Sequence, residues 1–208
     1  AIITAAARDL ALSMARIIVT MPPLLLPAIV LGAVQGATEF LPVSSTAHLI
    51  IVPALAGWNH PFLNSLTFDV SLHVGTLVAL LAAFGTEWAR IARALRHPRS
   101  PEGRLAWGLG LGTLPALAAG AVFERSVESS LRGPLSIAGW MALGGVALWW
   151  ADRRSRGSRR AADVRPAEAL LIGCAQALAL LPGLSRSGAT ITAGLLLGLG
   201  RAEAARYS

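Results

Sequence analysis

Apolar residues fall into five long stretches, and the lengths of those stretches predict two kinds of element. A bilayer core of about 30 Å is crossed by roughly 20 residues of helix. Residues 66–86, 105–123 and 134–151 meet that length and are predicted as three ordinary membrane spans. Residues 24–56 and 168–200 are too long for one span each, and both are broken near the middle. The breaks read Leu41-Pro42-Val43-Ser44-Ser45-Thr46-Ala47-His48 and Leu181-Pro182-Gly183-Leu184-Ser185-Arg186-Ser187-Gly188. Proline stops the incoming helix and suits the first turn of the next, where serine or threonine is a favoured cap. Non-helical backbone at membrane depth is tolerated only where protein buries it or water lines it. Each long stretch is therefore predicted as a helix–loop–helix that dips into the membrane and returns.

Composition supports a membrane protein. Hydrophobic residues make up 54% and charged residues 14% of the 208, against about 25% charged in average soluble domains. A lone cysteine, Cys174, excludes a disulfide scaffold. The net charge is +7, and all 18 basic residues are arginine. Arg90, Arg93, Arg96, Arg99 and Arg104 lie in one short segment, 87–104, and Arg153, Arg154, Arg156, Arg159, Arg160 and Arg165 in another, 152–166. Positive charge confined to loops beside apolar spans sets membrane orientation rather than nucleic-acid binding. Two spans separate the loops, so both are predicted on the cytoplasmic side, with 57–65 and 124–133 outside. The segment from Ala1 to Arg16 carries Arg8, Asp9 and Arg16 and shows no cleavable signal pattern.

The two broken stretches align with each other: Gly32 falls on Gly173, Gln35 on Gln176, Ser44 on Ser185, Thr46 on Ser187 and Ala47 on Gly188. Identities among small and polar residues are modest evidence, but topology adds to them. Three full spans lie between the breaks, so the copies are inverted, an arrangement that builds a central polar site.

Ionisable residues at membrane depth are costly and mark function by default. Here they are Glu39, His48, Asp69, His73 and Arg186. One arginine, several hydroxyls and two helix N-termini make an anion pocket, and a glutamate with a histidine adds acid–base or metal chemistry. Structural readings compete. Glu39 and Arg186 could form only a buried ion pair, and His48 could bond a carbonyl in the core. Gln35 could simply bond Glu39 one turn on. Ser44, Ser45, Ser185 and Ser187 could all be caps. Asp69 and His73, at i and i+4, share a helix face that suits a metal or proton site, but Asp69 lies near the outer end of its span and is expected to be solvated there. Trp149 and Trp150 read as an interfacial anchor.

Gln35-Gly-Ala-Thr-Glu39-Phe-Leu-Pro-Val-Ser-Ser45-Thr-Ala-His48 and Pro182-Gly-Leu-Ser185-Arg186-Ser187-Gly-Ala-Thr190 closely resemble the two signatures of the bacterial undecaprenyl-diphosphate phosphatases linked to bacitracin resistance. The resemblance runs from about residue 28 to the end, through Asp69–Thr76 and Pro134–Trp150. It implies an all-α polytopic protein of the bacterial plasma (inner) membrane, an inverted repeat with two re-entrant pairs. A single domain over 1–208 would hold repeat 1 at about 24–104 and repeat 2 at about 168–208. It also implies hydrolysis of the C55 isoprenoid diphosphate to the monophosphate, which recycles the carrier for the cell wall. A divalent cation, Mg²⁺ or Ca²⁺, comes with the family.

Carried over by motif position, Glu39, Ser45, His48 and Arg186 are the catalytic residues. Ser44, Thr46, Ser185, Ser187, Gly188 and Thr190 are the substrate-binding ones. Gln35 stands where many members have the first glutamate of an acidic pair, so a metal site on Glu39 and Gln35 has one carboxylate fewer. Members continue for about two further spans, so the expectation is that the second repeat lacks its partner spans here. Partners expected are the lipid diphosphate and membrane lipids, not nucleic acid; a homodimer stays open. The site is expected to open outward.

Ser45 is the expected nucleophile with His48 at i+3 as its base, or else Ser45 is a ligand and water attacks directly. A lipid flippase or transporter with a midplane anion site is the rival from another class, and a purely structural protein a third. A phosphatase of the Lys-Arg-Pro type is disfavoured because the chain has no lysine.

Overall fold

The computed structural model describes residues 23–131 and 133–208, so the reading of the segment from Ala1 to Arg16 lies outside the described residues. Helices α1 (Leu25–Phe40) and α2 (Ser45–Ala56) flank the first break, and α3 (Leu66–Ala83) is the first long apolar helix. The chain continues through α4 (Gly85–Ala94), α5 (Pro101–Ser130) and α6 (Pro134–Arg154). A short 3₁₀ turn at Ala161–Asp163 precedes α7 (Pro166–Leu178) and α8 (Arg186–Leu196), which flank the second break, and α9 (Arg201–Tyr207) follows. Among the described residues the fold is all-helical, with one isolated parallel bridge between Arg159 and Leu199. Both broken pairs keep the register of the sequence alignment. Leu25, which starts α1, corresponds to Pro166, which starts α7, and Ser45 at the start of α2 corresponds to Arg186 at the start of α8.

Three described helices are long and apolar enough to cross a membrane: Leu66–Ala83, Pro101–Phe123 and Pro134–Arg154. They match the three predicted spans, with corrected ends. The first stops at Ala83 rather than 86, because Phe84 leaves helical geometry and α4 starts a new helix inside the segment expected as a loop. The helix of the second span runs on to Ser130, through most of the expected outer loop 124–133. Val70, Val74, Leu77, Val78, Leu117 and Leu143 are among the many large apolar side chains left exposed on these helices, as expected where lipid is the solvent.

Two cores hold the described residues together. Leu31, Leu49, Leu63 and Phe68 pack α1, α2 and α3 together. Ala151, Ala169, Ile172, Leu195, Leu199 and Tyr207 are among the residues packing α6 to α9. The close contact of α5 against α7 depends on small residues, which let backbones approach when lipid offers no hydrophobic drive. A Cβ on Gly173 would stand 2.2 Å from the Gly112 carbonyl oxygen. Gly173→Ala must therefore push α5 from α7 and is expected to cost about 1–3 kcal/mol, read as a lower melting temperature in detergent.

The arginine-rich segments converge. Arg206 of α9 pairs with Glu87 of α4. Arg201 pairs with Asp152 at the end of α6 across 2.5 Å. Buried Glu168, in the first turn of α7, accepts from Arg159 at 2.8 Å and Arg165 at 2.7 Å. These two guanidiniums hold the Glu168 carboxyl well below the usual carboxylate range. Its stabilising contribution is thus present above the ordinary glutamate pKa and is lost as pH falls below it. Arg153 stacks on Trp149 and Arg154 on Trp150 at the same end of α6.

Candidate active site

Each break is shaped by its proline. Leu41, before Pro42, is held extended (φ −80°, ψ 145°), the geometry a following proline enforces. The chain then turns sharply at Ser44, the one non-glycine among the described residues with positive φ, at 65°. For an L-residue this conformation is strained, and such strain clusters at functional sites. Ser44 makes no side-chain cap bond. The capping role weighed for it as an alternative is therefore not taken up, and the turn leaves α2 without a side-chain cap from Ser44. At the second break Gly183 takes φ 102°, and a Cβ there would meet the Ile137 carbonyl oxygen at 2.4 Å. Ser185 does cap α8, accepting from the Gly188 N–H at 3.1 Å.

The two breaks meet on Glu39. Ser45 Oγ donates to Glu39 Oε2 across 2.5 Å. Gln35 Nε2 donates to the same oxygen across 3.1 Å, from one turn earlier on α1. Arg186, at the start of α8, donates to Glu39 Oε1. Ser187 Oγ donates to the Leu41 carbonyl across 3.3 Å, a second tie between the breaks. The Glu39 side chain is 11% exposed and that of Arg186 is 61% exposed, so the carboxylate forms the floor and the guanidinium the rim.

A cavity of about 450 Å³ opens over this cluster. Glu39, Ser44, Ser45 and Thr46 line it from the first break, and Ser185, Arg186 and Ser187 from the second. His48, Gly188, Gln35 and Thr190 are not among its lining residues. His48 turns Nδ1 to the Ser44 carbonyl at 2.8 Å, the core bond weighed as an alternative above, while the Ser45 hydroxyl bonds Glu39. The reason is register: Glu39, in the last turn of α1, lies across the break from Ser45 at the start of α2. Thr190 is buried, its hydroxyl engaged by the Arg186 and Ser187 carbonyls and by Ser208 Oγ at 2.7 Å.

Among the further residues in the wall are His73 of α3, Thr113 of α5 and Gln176 of α7. Gln176 was visible in the sequence only as the repeat counterpart of Gln35. His73 Nε2 lies 3.4 Å from Glu39 Oε2. Asp69 is buried, which corrects the solvated interfacial role expected for it, because α3 turns that face toward α1.

Comparison with known proteins shows the family. A family model described as bacitracin resistance protein BacA matches residues 28–208. The undecaprenyl-diphosphatase of Moorella thermoacetica is 48% identical over 184 residues, covering 88% of this chain and 69% of the relative. Undecaprenyl-diphosphatase 2 of Stutzerimonas stutzeri is 50% identical over 193 residues, covering 88% and 70%. The undecaprenyl-diphosphatase of Chromohalobacter salexigens is 50% identical over 190 residues, again covering 88% and 70%. With the match running through every residue that lines the cavity, the chain belongs to the bacitracin resistance protein BacA family of membrane proteins.

Proposed function

We propose that this chain hydrolyses undecaprenyl diphosphate, the compound named in its relatives, to undecaprenyl phosphate and inorganic phosphate. The observation that carries the reading is a serine hydroxyl held 2.5 Å from a recessed carboxylate, with an arginine from the other break on the same carboxylate. The cavity suits a diphosphate head group, not a C55 chain. Leu117 lines it and is 62% exposed on the lipid-facing surface of α5, which supports a substrate whose tail stays in the bilayer.

An arriving diphosphate offers Arg186 more negative charge than Glu39 does, so the guanidinium exchanges the carboxylate for phosphate oxygens. The uncapped N-terminus of α2 supplies further N–H donors. Ser45 Oγ attacks the terminal phosphorus as its proton passes to Glu39, and the bond to the bridging oxygen breaks. The lipid monophosphate leaves with that proton. Glu39 then takes a proton from water attacking the phosphoserine and gives it to Ser45 Oγ as the phosphorus–Oγ bond breaks, which frees phosphate and restores both Ser45 and Glu39. This assigns to Glu39 the base role expected of His48. Ser44, Thr46, Ser185 and Ser187 remain proposed phosphate contacts, with Gly188 shaping the α8 turn and Thr190 bracing it.

The Mg²⁺ or Ca²⁺ implied by the family fits the donors present. Glu39 and Gln35 supply hard oxygens, and Gln35 Oε1 is buried with no hydrogen-bond partner. Glu39 and Gln35 would hold the cation, with the diphosphate completing its shell. When bound, it would neutralise phosphate charge.

Topology belongs to the same proposal. The common register of both helix pairs supports an inverted repeat, with segments near 24–104 and 168–208. Convergence of the arginine segments on α9 supports placing 87–104 and 152–166 together in the cytoplasm of a bacterial cell, with the cavity open outward. Release of phosphate from undecaprenyl diphosphate by the purified chain in detergent, with no membrane gradient, tests the function. A flippase or transporter would bind the lipid there and release none.

A further inference from the structure

We propose that Gln176 is a substrate-binding residue: its side-chain amide donates N–H groups to the lipid-linked phosphate, the half of the head group that Ser45 does not attack. This rests on the phosphatase reading above.

Beyond the two breaks and Glu39, the polar side chains lining the cavity are Thr38, His73, Thr113 and Gln176. The first three are already engaged. The Thr38 hydroxyl donates to the Val34 carbonyl at 2.7 Å and that of Thr113 to the Leu109 carbonyl at 2.8 Å, each within its own helix. His73 has Nδ1 2.8 Å from the Asp69 carbonyl oxygen and Nε2 beside Glu39. The Gln176 side chain makes no hydrogen bond among the described residues. The repeat explains the difference. Its counterpart Gln35 donates to Glu39 one turn on, but the residue one turn on from Gln176 is Leu180, which offers no acceptor in its side chain. One copy of the glutamine is therefore committed to the carboxylate, and the other presents two N–H donors to the same cavity.

Its place in the wall identifies the phosphate. Helix α7 packs along α5 from the close approach of Gly173 to Gly112 up to Leu180, which lies 4.0 Å from where a Cβ on Gly120 would stand. Gln176, one turn past Gly173, therefore belongs to the α5–α7 wall with Ala116 and Leu117, whereas Ser45 and Glu39 belong to the first break. The lipid tail leaves past Leu117, and the terminal phosphorus lies at Ser45. The phosphate between them, bonded to the lipid, is the one that reaches the Gln176 wall. An amide is neutral, so it adds donors there without adding charge. It also binds the lipid-linked phosphate alike before and during bond cleavage, and uniform binding of that kind bears on KM rather than on kcat.

The test compares Gln176→Leu, which removes the donors at similar volume, with Gln176→Glu, which keeps the shape but replaces the donors with negative charge. Expected for Gln176→Leu in the full chain is a rise of about 10-fold in KM for undecaprenyl diphosphate, the size of one hydrogen bond to a charged group. The value of kcat stays within about threefold, and inhibition by inorganic phosphate, which needs only the terminal position, within about twofold. Gln176→Glu binds the lipid diphosphate more weakly still. An unchanged KM, a loss confined to kcat, inorganic phosphate weakened as much as the lipid, or Gln176→Glu no weaker than Gln176→Leu overturns the proposal. A second measurement needs no turnover. In calorimetric titration of the intact protein with undecaprenyl phosphate, Kd is expected to rise about 10-fold in Gln176→Leu, and an unchanged Kd overturns the contact. Absence of phosphate release by the wild-type protein would instead overturn the phosphatase reading, with the titration still deciding whether Gln176 holds a lipid phosphate.

Discussion

Arg186→Ala lowers kcat/KM for undecaprenyl diphosphate by about 10³-fold or more, the scale on which a phosphate-clamping arginine acts. Two effects combine in that number. The guanidinium binds the diphosphate and offsets charge developing on the transferred phosphoryl group, so KM rises and kcat falls together. Its loss also leaves Glu39 as a recessed carboxylate without its principal cation, which disfavours approach of a second anion. Arg186→Lys restores only part of the activity, since an ammonium cannot make two parallel bonds to phosphate. Steady-state phosphate release by both variants checks this, and wild-type kinetics in Arg186→Ala would remove the clamp from the mechanism.

Ser45→Ala is the second large effect. As a nucleophile, Ser45 cannot be bypassed by small rearrangement, and its removal is expected to lower kcat by about 10³-fold or more, comparable to losing a principal catalytic group. KM changes little, because Arg186 and the α2 N-terminus still hold the diphosphate. Rapid quenching of the wild-type reaction should trap phosphate on Ser45, and the variant should trap none. Full activity in Ser45→Ala excludes the nucleophile role. Strong residual activity with no trapped phosphoserine in the wild type would favour direct attack by water, with Ser45 a ligand.

Much of the architecture was legible in the sequence because the bilayer imposes length and proline imposes breaks. Pro42 and Pro182 mark both interruptions, and the three apolar spans match the three long helices. Helix ends were less legible for a physical reason. Hydropathy reports where the membrane stops, not where the helix does. Thus α5 continues to Ser130 after its apolar residues end, and α4 forms among arginines through pairs such as Glu87–Arg90.

At the site, residue types at membrane depth identified Glu39 and Arg186, but pairing within the site is a tertiary fact. Ser45 has Glu39 across the turn and His48 along its helix, and spacing alone favoured His48. The positive φ of Ser44 breaks the symmetry by aiming the start of α2 at the end of α1. Asp69 reads as interfacial in the sequence because nothing local shows that Phe68 and Leu31 draw α3 against α1. Thr190 matches a motif position, yet its hydroxyl is consumed by carbonyls of its own helix and by Ser208.

The central claim is that one cavity, closed from both breaks onto Glu39, cleaves the anhydride of a lipid diphosphate. The most direct measurement is the ³¹P NMR spectrum of undecaprenyl diphosphate incubated with the purified wild-type chain in detergent. The account predicts that the diphosphate signals give way to lipid monophosphate and inorganic phosphate in equal amounts. Diphosphate left intact, or released whole as inorganic diphosphate, would contradict it.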